Sequence, residues 1–361
     1  MALPSIEAAV RTLFSKFLMW WFDAHEWSGV PLPDWRSRPF RILIIRDDGI
    51  GDLMVSMEVI RAIAEVSPTL TVDLLCSPSN APFGRSLPFV KDVLVHRRGS
   101  FLGARHTWRE LRRRKYDVAI DGRVAIANVN KQTQALLLST RAPWRIGIAG
   151  RRNDRVYSVP VHVPEIKHYV DAIVALGQPF GIHGDSRDWR AKLPLSDGDR
   201  AAAEHTWESV GAGRPRVLVN LYSASADRQW PVPQFAEFLL LLRQRLSHAT
   251  IVLPTMPGGD ADTERIAGPA GAVSVPLSLA QVTAVTATAD LVVSPDTAIT
   301  VIASVFRVPI LALMRKNGGQ WEPYRMTGRV AFSDDTRSLL ALPTKRVVAA
   351  LDEIIAEQRW C

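Results

Sequence analysis

Asp290-Leu-Val-Val-Ser-Pro-Asp-Thr-Ala-Ile-Thr300 is the stretch from which the fold can be read outward. Residues 290–294 are a short apolar, β-branched run of the kind that fills a strand buried on both faces. Pro295 ends the run, because proline cannot donate to a ladder. Asp296 is suited to cap a helix predicted over 297–306. The amides near Thr297 and Ala298 then form an anion site strengthened by the helix dipole. Strand, capped turn and helix in that order make one step of a parallel α/β repeat.

The same step recurs on both sides. Downstream of residue 200, strands are predicted at 216–221, 249–253, 272–275 and 308–313, with helices at 233–246, 260–267 and 279–288. Upstream, Arg41-Ile-Leu-Ile-Ile45 reads as a buried strand, followed by a helix from Asp52 to Val66 with Leu53, Met57, Ile60 and Ile63 on one face. Further strands are predicted at Thr71–Cys76, Val93–His96 and Tyr116–Asp121, with a basic helix from about Thr107 to Lys115. Between the two series the rhythm breaks, with Pro160, Pro164, Pro179, Pro194 and the polar Gly184-Asp-Ser-Arg-Asp run. A chain of 361 residues also exceeds what one core usually serves. The predicted fold class is therefore α/β, with two doubly wound parallel-sheet domains in tandem. The expected divisions are an N-terminal extension (1–35), a first domain (36–190), a second (191–345) and a C-terminal helix (346–361).

Within the extension, Ile6, Val10, Leu13, Phe14, Phe17 and Trp21 recur at helical spacing. Leu13 to Phe22 is too short and too interrupted to span a bilayer, and no small-residue cleavage site follows it. A helix docked on the protein's own surface and an interfacial helix on an anionic membrane both fit this pattern. The formal charge of +8 favours acidic partners without choosing among them. Basic residues crowd Arg97 to Lys115 and Arg141 to Arg155. Cys76 and Cys361 are the only cysteines and lie in no metal-ligand spacing, which fits a reducing cytoplasm.

In an open parallel sheet, ligands bind beyond the carboxyl ends of the strands, so three loops carry the chemistry. In Arg46-Asp-Asp-Gly-Ile-Gly-Asp52, Gly49 and Gly51 permit close approach of backbone to a ligand, and Asp52 opens the following helix. A dinucleotide fingerprint would need a third glycine where Met54 stands, so a nicotinamide cofactor is not expected. Asp47 and Asp48 read as the solvated edge of this loop rather than as metal ligands. In Leu221-Tyr-Ser-Ala-Ser-Ala-Asp-Arg-Gln-Trp-Pro231, small residues such as Ser223 let amides approach an anion, and Arg228 suits a phosphate. Trp230-Pro231 pins the start of the next helix. The third loop is the one at Asp296, Thr297, Ala298 and Ile299.

Taken together the loops resemble the heptosyltransferases, inverting glycosyltransferases of family 9 that add heptose to the lipopolysaccharide core. The resemblance covers about residues 41–350. It rests on the opening strand with Gly-Ile-Gly-Asp-Leu-Met, Asp227-Arg-Gln-Trp-Pro231, Ser294-Pro-Asp-Thr297 and Trp321-Glu-Pro323. It implies the GT-B arrangement, two Rossmann-like domains facing across a cleft. It also implies a nucleotide-sugar donor, ADP-heptose, an acidic lipid-linked saccharide acceptor and no metal or other cofactor. Nucleic acid is not an expected partner; the expected location is cytoplasmic, peripheral on the inner membrane. By the same resemblance Asp52 is the general base, and Arg228 stands where a lysine usually meets the donor's phosphates. Asp296 matches the residue that bonds the donor sugar, and Thr297 with the next amides matches the diphosphate cradle. Glu264 is a candidate contact to the nucleotide ribose, in a register that runs across Gly258-Gly259. The chain departs from the family in carrying Ala298 and Val301 where glycine and histidine are common, and in its long N-terminal extension. A nucleotide-sugar epimerase and a non-catalytic sugar-nucleotide-binding protein are the alternative readings.

Overall fold

The computed structural model describes residues 30–97, 101–124, 129–150, 152, 154–163, 165–184, 187–256, 260–316 and 319–360. The proposed amphipathic helix before residue 30 and the Gly258-Gly259 register lie outside them. The chain divides into two compact units between Trp189 and Arg190.

In the first unit the strands are β1 (Phe40–Arg46), β2 (Leu70–Cys76), β3 (Asp92–Val95), β4 (Val118–Asp121), β5 (Trp144–Ile148) and β6 (Val159–Val161). The helices are α1 (Ile50–Ala64), α2 (Ala81–Arg85), α3 (Phe101–Arg113), α4 (Lys131–Thr140) and α5 (Tyr169–Ala175). All the strands run parallel in the order β3-β2-β1-β4-β5-β6, the dinucleotide-fold order that reverses direction between β1 and β4. Alternation along β1 sorts the core onto two faces. Leu43 and Ile45 join Leu111, Leu136 and Leu137 of α3 and α4, while Ile44 meets Val59, Ile60, Ile63 and Ile173 of α1 and α5.

The second unit repeats the plan. Its strands are β7 (Arg216–Val219), β8 (Thr250–Thr255), β9 (Val273–Pro276), β10 (Leu291–Pro295), β11 (Ile310–Arg315) and β12 (Gly328–Ser333). Its helices are α6 (Asp197–Val210), α7 (Val232–Arg245), α8 (Ala261–Ala267), α9 (Leu279–Ala287), α10 (Ala298–Val305) and α11 (Thr344–Gln358). The order β12-β11-β10-β7-β8-β9 is the same topology, with its reversal between β7 and β10. Val217, Val219 and Val293 point to Phe235, Phe238 and Leu351 of α7 and α11. Leu218 and Val292 point the other way, to Trp207, Val285 and Ala303. Each central strand is therefore covered on both faces, which is why these strands read as unbroken apolar runs.

Several elements depart from the sequence expectation. Strand β6 and helix α5 fall in the stretch around Pro160 to Pro194, where the rhythm suggested a break; they complete the first unit. Pro160 is tolerated in β6 because that strand is at the sheet edge. Helix α11 is a core layer of the second unit, through Val347, Leu351 and Ile354, rather than an appendage. Trp230 does more than pin a helix start. It is fully buried, meets the Phe235 and Phe238 rings at 4.7 and 6.1 Å, and donates from its indole to the Leu342 carbonyl at 2.9 Å. Trp35 packs on Phe180 at 4.5 Å and on Phe40 at 5.2 Å, and donates to the Pro179 carbonyl at 2.7 Å. The last residues of the predicted extension thus belong to the first unit's core.

Candidate functional site

In each unit the reversal of strand order parts the loops after the two central strands and leaves a crevice at their carboxyl ends. The candidate residues fall at these two places.

In the second unit the crevice lies between the loops after β7 and β10. Asn220, buried at the end of β7, ties them together. Its amide donates to Ser294 Oγ and the Tyr222 carbonyl, both at 2.9 Å, and to Thr297 Oγ1 at 3.3 Å. Thr297 is the cap of α10, its hydroxyl accepting from the Ile299 amide at 3.3 Å. Asp296, expected as that cap, instead turns aside and receives Arg228 Nη1 at 3.2 Å. The pair is about one-third exposed, so it is reachable by a ligand. Arg228 closes a single 3₁₀ turn, Ala226–Arg228, and the Ser223 amide donates to Gln229 Oε1 at 3.0 Å just before it.

A small pocket, open at its mouth, is lined by Arg228 and Asp296 together with Met314, Arg315 and Trp321. Two guanidinium groups therefore line the cavity, Arg228 paired with Asp296 and Arg315 with Asp227. Of the other predicted donor residues, Ser223, Thr297, Ala298 and Ile299 border the same loops. Glu264 does not line the pocket. It is exposed on α8, whose first turn is held beside the β7 loop by the Tyr222 hydroxyl on Thr263 Oγ1 at 2.8 Å.

In the first unit the crevice is floored by Arg46, the last residue of β1, whose side chain is fully buried. Gly122 makes room for it, since a Cβ there would lie 2.6 Å from Arg46 Cδ. The guanidinium donates to the Gly122 carbonyl and, at 2.8 Å, to the Tyr169 hydroxyl. Its Nη2 lies 3.3 Å from Asp48 and 3.8 Å from Asp52. Burial by itself would lower the Arg46 pKa; Asp48, Tyr169 and Asp52 outweigh it and hold the cation above its ordinary value.

Asp52 is the third residue of α1, with Gly51 just before it. Gly49 is the cap, and its amide donates to Asp52 Oδ2 at 3.1 Å. The Asp52 side chain keeps about a third of its surface, 35%, in solvent. Asp52 is thus a partly exposed carboxylate with a buried cation on its inner side.

Asp47 and Asp48 are not a solvated loop edge. Asp47 is buried, 3.2 Å from Arg123. Asp48 is drawn inward because Asn80 donates to the Arg46 and Asp48 carbonyls at 2.8 and 3.2 Å, and Ser77 donates to the latter at 2.9 Å. Burial pushes the Asp48 carboxyl up to about 6 against the pull of Arg46. Among the described residues no group of three or more His, Cys, Asp or Glu side chains is placed to hold a metal ion.

Arg46, Tyr169, Asn80, Asn220 and Arg315 were not singled out in the sequence. Arg46 alone gave a local hint, a charged residue adjoining a wholly apolar strand.

A model of glycosyltransferase family 9 (heptosyltransferase) matches residues 104–337, which is most of the chain. The lipopolysaccharide core heptosyltransferase OpsX of Haemophilus influenzae is 20% identical over 293 residues, covering 78% of this chain and 81% of that protein. A family 9 glycosyl transferase from Veillonella parvula superposes with a TM-score of 0.67 at 16% identity, over 90% of this chain and 99% of that one. E. coli heptosyltransferase WaaC with ADP gives 0.62 at 20% identity, over 88% and 98%. Both structures share the α/β fold of GT-B type seen here. The chain belongs to glycosyltransferase family 9, the heptosyltransferase family, and is a glycosyltransferase.

Proposed function

We propose that this protein transfers heptose from ADP-heptose to the lipopolysaccharide core, inverting the anomeric centre in a single displacement. The observation that carries the reading is the Arg228–Asp296 pair beside the capped start of α10. A departing nucleoside diphosphate develops negative charge, and a cation beside a helix N-terminus offsets it without a metal. In the bound state Arg228 turns to the phosphates, and Asp296 accepts hydroxyls of the sugar. Asp52 removes the acceptor hydroxyl's proton as the new bond forms. The donor assignment draws on the E. coli relative solved with ADP, and the acceptor on the name of the H. influenzae relative.

The donor reading is tested by thermal stabilisation with a panel of nucleotides and nucleotide-sugars. A ligand present at about 100 times its dissociation constant adds about 2.7 kcal/mol. ADP and ADP-heptose are expected to raise the melting temperature more than UDP or GDP do. Equal or greater stabilisation by UDP contradicts the ADP assignment.

Family membership also points to an acceptor anchored in a membrane. No helix among the described residues is long and apolar enough to cross one. Arg105, Arg109 and Arg112 are exposed at helical spacing on α3 and form a basic stripe suited to anionic phosphates. Replacing all three by alanine is expected to weaken vesicle binding about a hundredfold, at about 1 kcal/mol per arginine. The check is cosedimentation with vesicles containing phosphatidylglycerol. Unchanged binding removes α3 from the membrane-facing surface.

A further inference from the structure

We propose that Asp48 is a positioning residue that sets the strength of Asp52 as a base by competing with it for the buried charge of Arg46. The inference rests on the reading of Asp52 as general base.

Three features carry it. First, the Arg46 guanidinium has no access to solvent, so its charge is compensated only by the groups around it. Second, one nitrogen, Nη2, serves both carboxylates, at 3.3 Å to Asp48 and 3.8 Å to Asp52. That nitrogen makes no hydrogen bond to either, so its charge is shared through space. Third, Asp48 is held in place through its backbone. Asn80 and Ser77 both donate to its carbonyl, which fixes the backbone from which the carboxyl faces Arg46.

With Asp48 ionised, Arg46 is largely neutralised and Asp52 remains a good proton acceptor. With Asp48 protonated, the whole charge of Arg46 bears on Asp52, stabilises its carboxylate and weakens it as a base. The other charged and titratable groups around Asp48 do not duplicate this role. Arg123 already lies against Asp47 at 3.2 Å. Tyr169 is held neutral by burial, which raises its pKa, and burial pushes the nearby Cys76 thiol up to about 12. Arg85 acts on Cys76 as a fixed charge. The member of this group that changes charge near neutrality is Asp48, whose carboxyl burial pushes up to about 6.

The test is the pH dependence of kcat for transfer between about pH 5 and 8 in wild type, Asp48→Asn, Asp48→Glu and Asp52→Asn. Wild type is expected to rise through an inflection near 6, where Asp48 ionises. Asp48→Asn should lose that inflection and run about tenfold below wild type at the alkaline end, converging with it at the acid end. Asp48→Glu should restore the inflection. Donor KM and the melting temperature with ADP should stay close to wild type in Asp48→Asn, which separates this role from a merely structural one. Should Asp48→Asn fail to fold, Asp48→Ser gives the same comparison. Persistence of the inflection in Asp48→Asn, or full activity at the alkaline end, overturns the inference. Residual transfer at wild-type rate in Asp52→Asn overturns the underlying base assignment instead, so the two failures are distinguishable.

Discussion

Asp52→Asn is expected to lower kcat by roughly a thousandfold while leaving donor affinity within about twofold, since a positioned general base is worth about 10²–10⁴ in rate. The substitution keeps the shape of the side chain and an oxygen able to accept from the Gly49 amide, so the first turn of α1 survives. What is lost is a lone pair basic enough to take the acceptor's proton. Arg46 loses part of its compensation, yet Asp48, the Tyr169 hydroxyl and the Gly122 carbonyl remain around it. A steady-state assay on both substrates decides the matter. A fall confined to kcat supports the assignment, whereas a rise in donor KM with kcat unchanged would make Asp52 a binding residue.

Arg228→Ala is expected to cost about a hundredfold or more in kcat/KM, the usual effect of deleting one donor that stabilises developing negative charge. It removes the cation proposed to meet the leaving diphosphate and takes the Arg228 charge away from the partly exposed Asp296 carboxylate beside the same site. The Asp296 carboxylate then repels the diphosphate, so adding Asp296→Asn should recover part of the loss in donor binding. Arg228→Lys should recover much of the activity, because a point charge at this place still meets a phosphate. The check is a double-mutant cycle on donor binding and turnover. Strict additivity of Arg228→Ala and Asp296→Asn would show that the 3.2 Å contact has no bearing on the reaction.

The central strands were legible because both of their faces are covered. β1, β2, β7, β8, β10 and β11 are centred on buried apolar residues, such as Ile42–Ile45 and Leu291–Val293. β5, β6 and β12 were not. β5 begins Trp144-Arg145, and the buried Arg145 guanidinium reaches the Val156 and Ala142 carbonyls, at 2.8 and 2.7 Å. β12 starts from Gly328 and stays half-buried, so its pattern is weak. Helix α6 carried a readable signal in the Ser196–Asp199 capping box, hidden among the polar residues that suggested a linker.

At the sites, loop glycines and the Pro-Asp-Thr turn marked the loops that border the two crevices, since local chemistry shapes such turns. The residues that hold those loops come from far along the chain. Tyr169 reaches Arg46 across 123 positions and Asn220 reaches Ser294 across 74. Nothing local in the sequence encodes such pairings. The burial of Asp47 and Asp48 was missed for the same reason. Two adjacent aspartates after a strand read as solvated until Arg46, Arg123 and Asn80 are brought to them.

The most direct measurement is a transfer assay with ADP-heptose and a heptose-free lipopolysaccharide core acceptor, reading the product's mass and the configuration at its new anomeric centre. The expected result is a heptosylated acceptor whose linkage is inverted relative to the donor, formed by wild type and lost in Asp52→Asn. Retention of configuration, turnover of ADP-heptose to free heptose alone, or undiminished transfer by Asp52→Asn would contradict it.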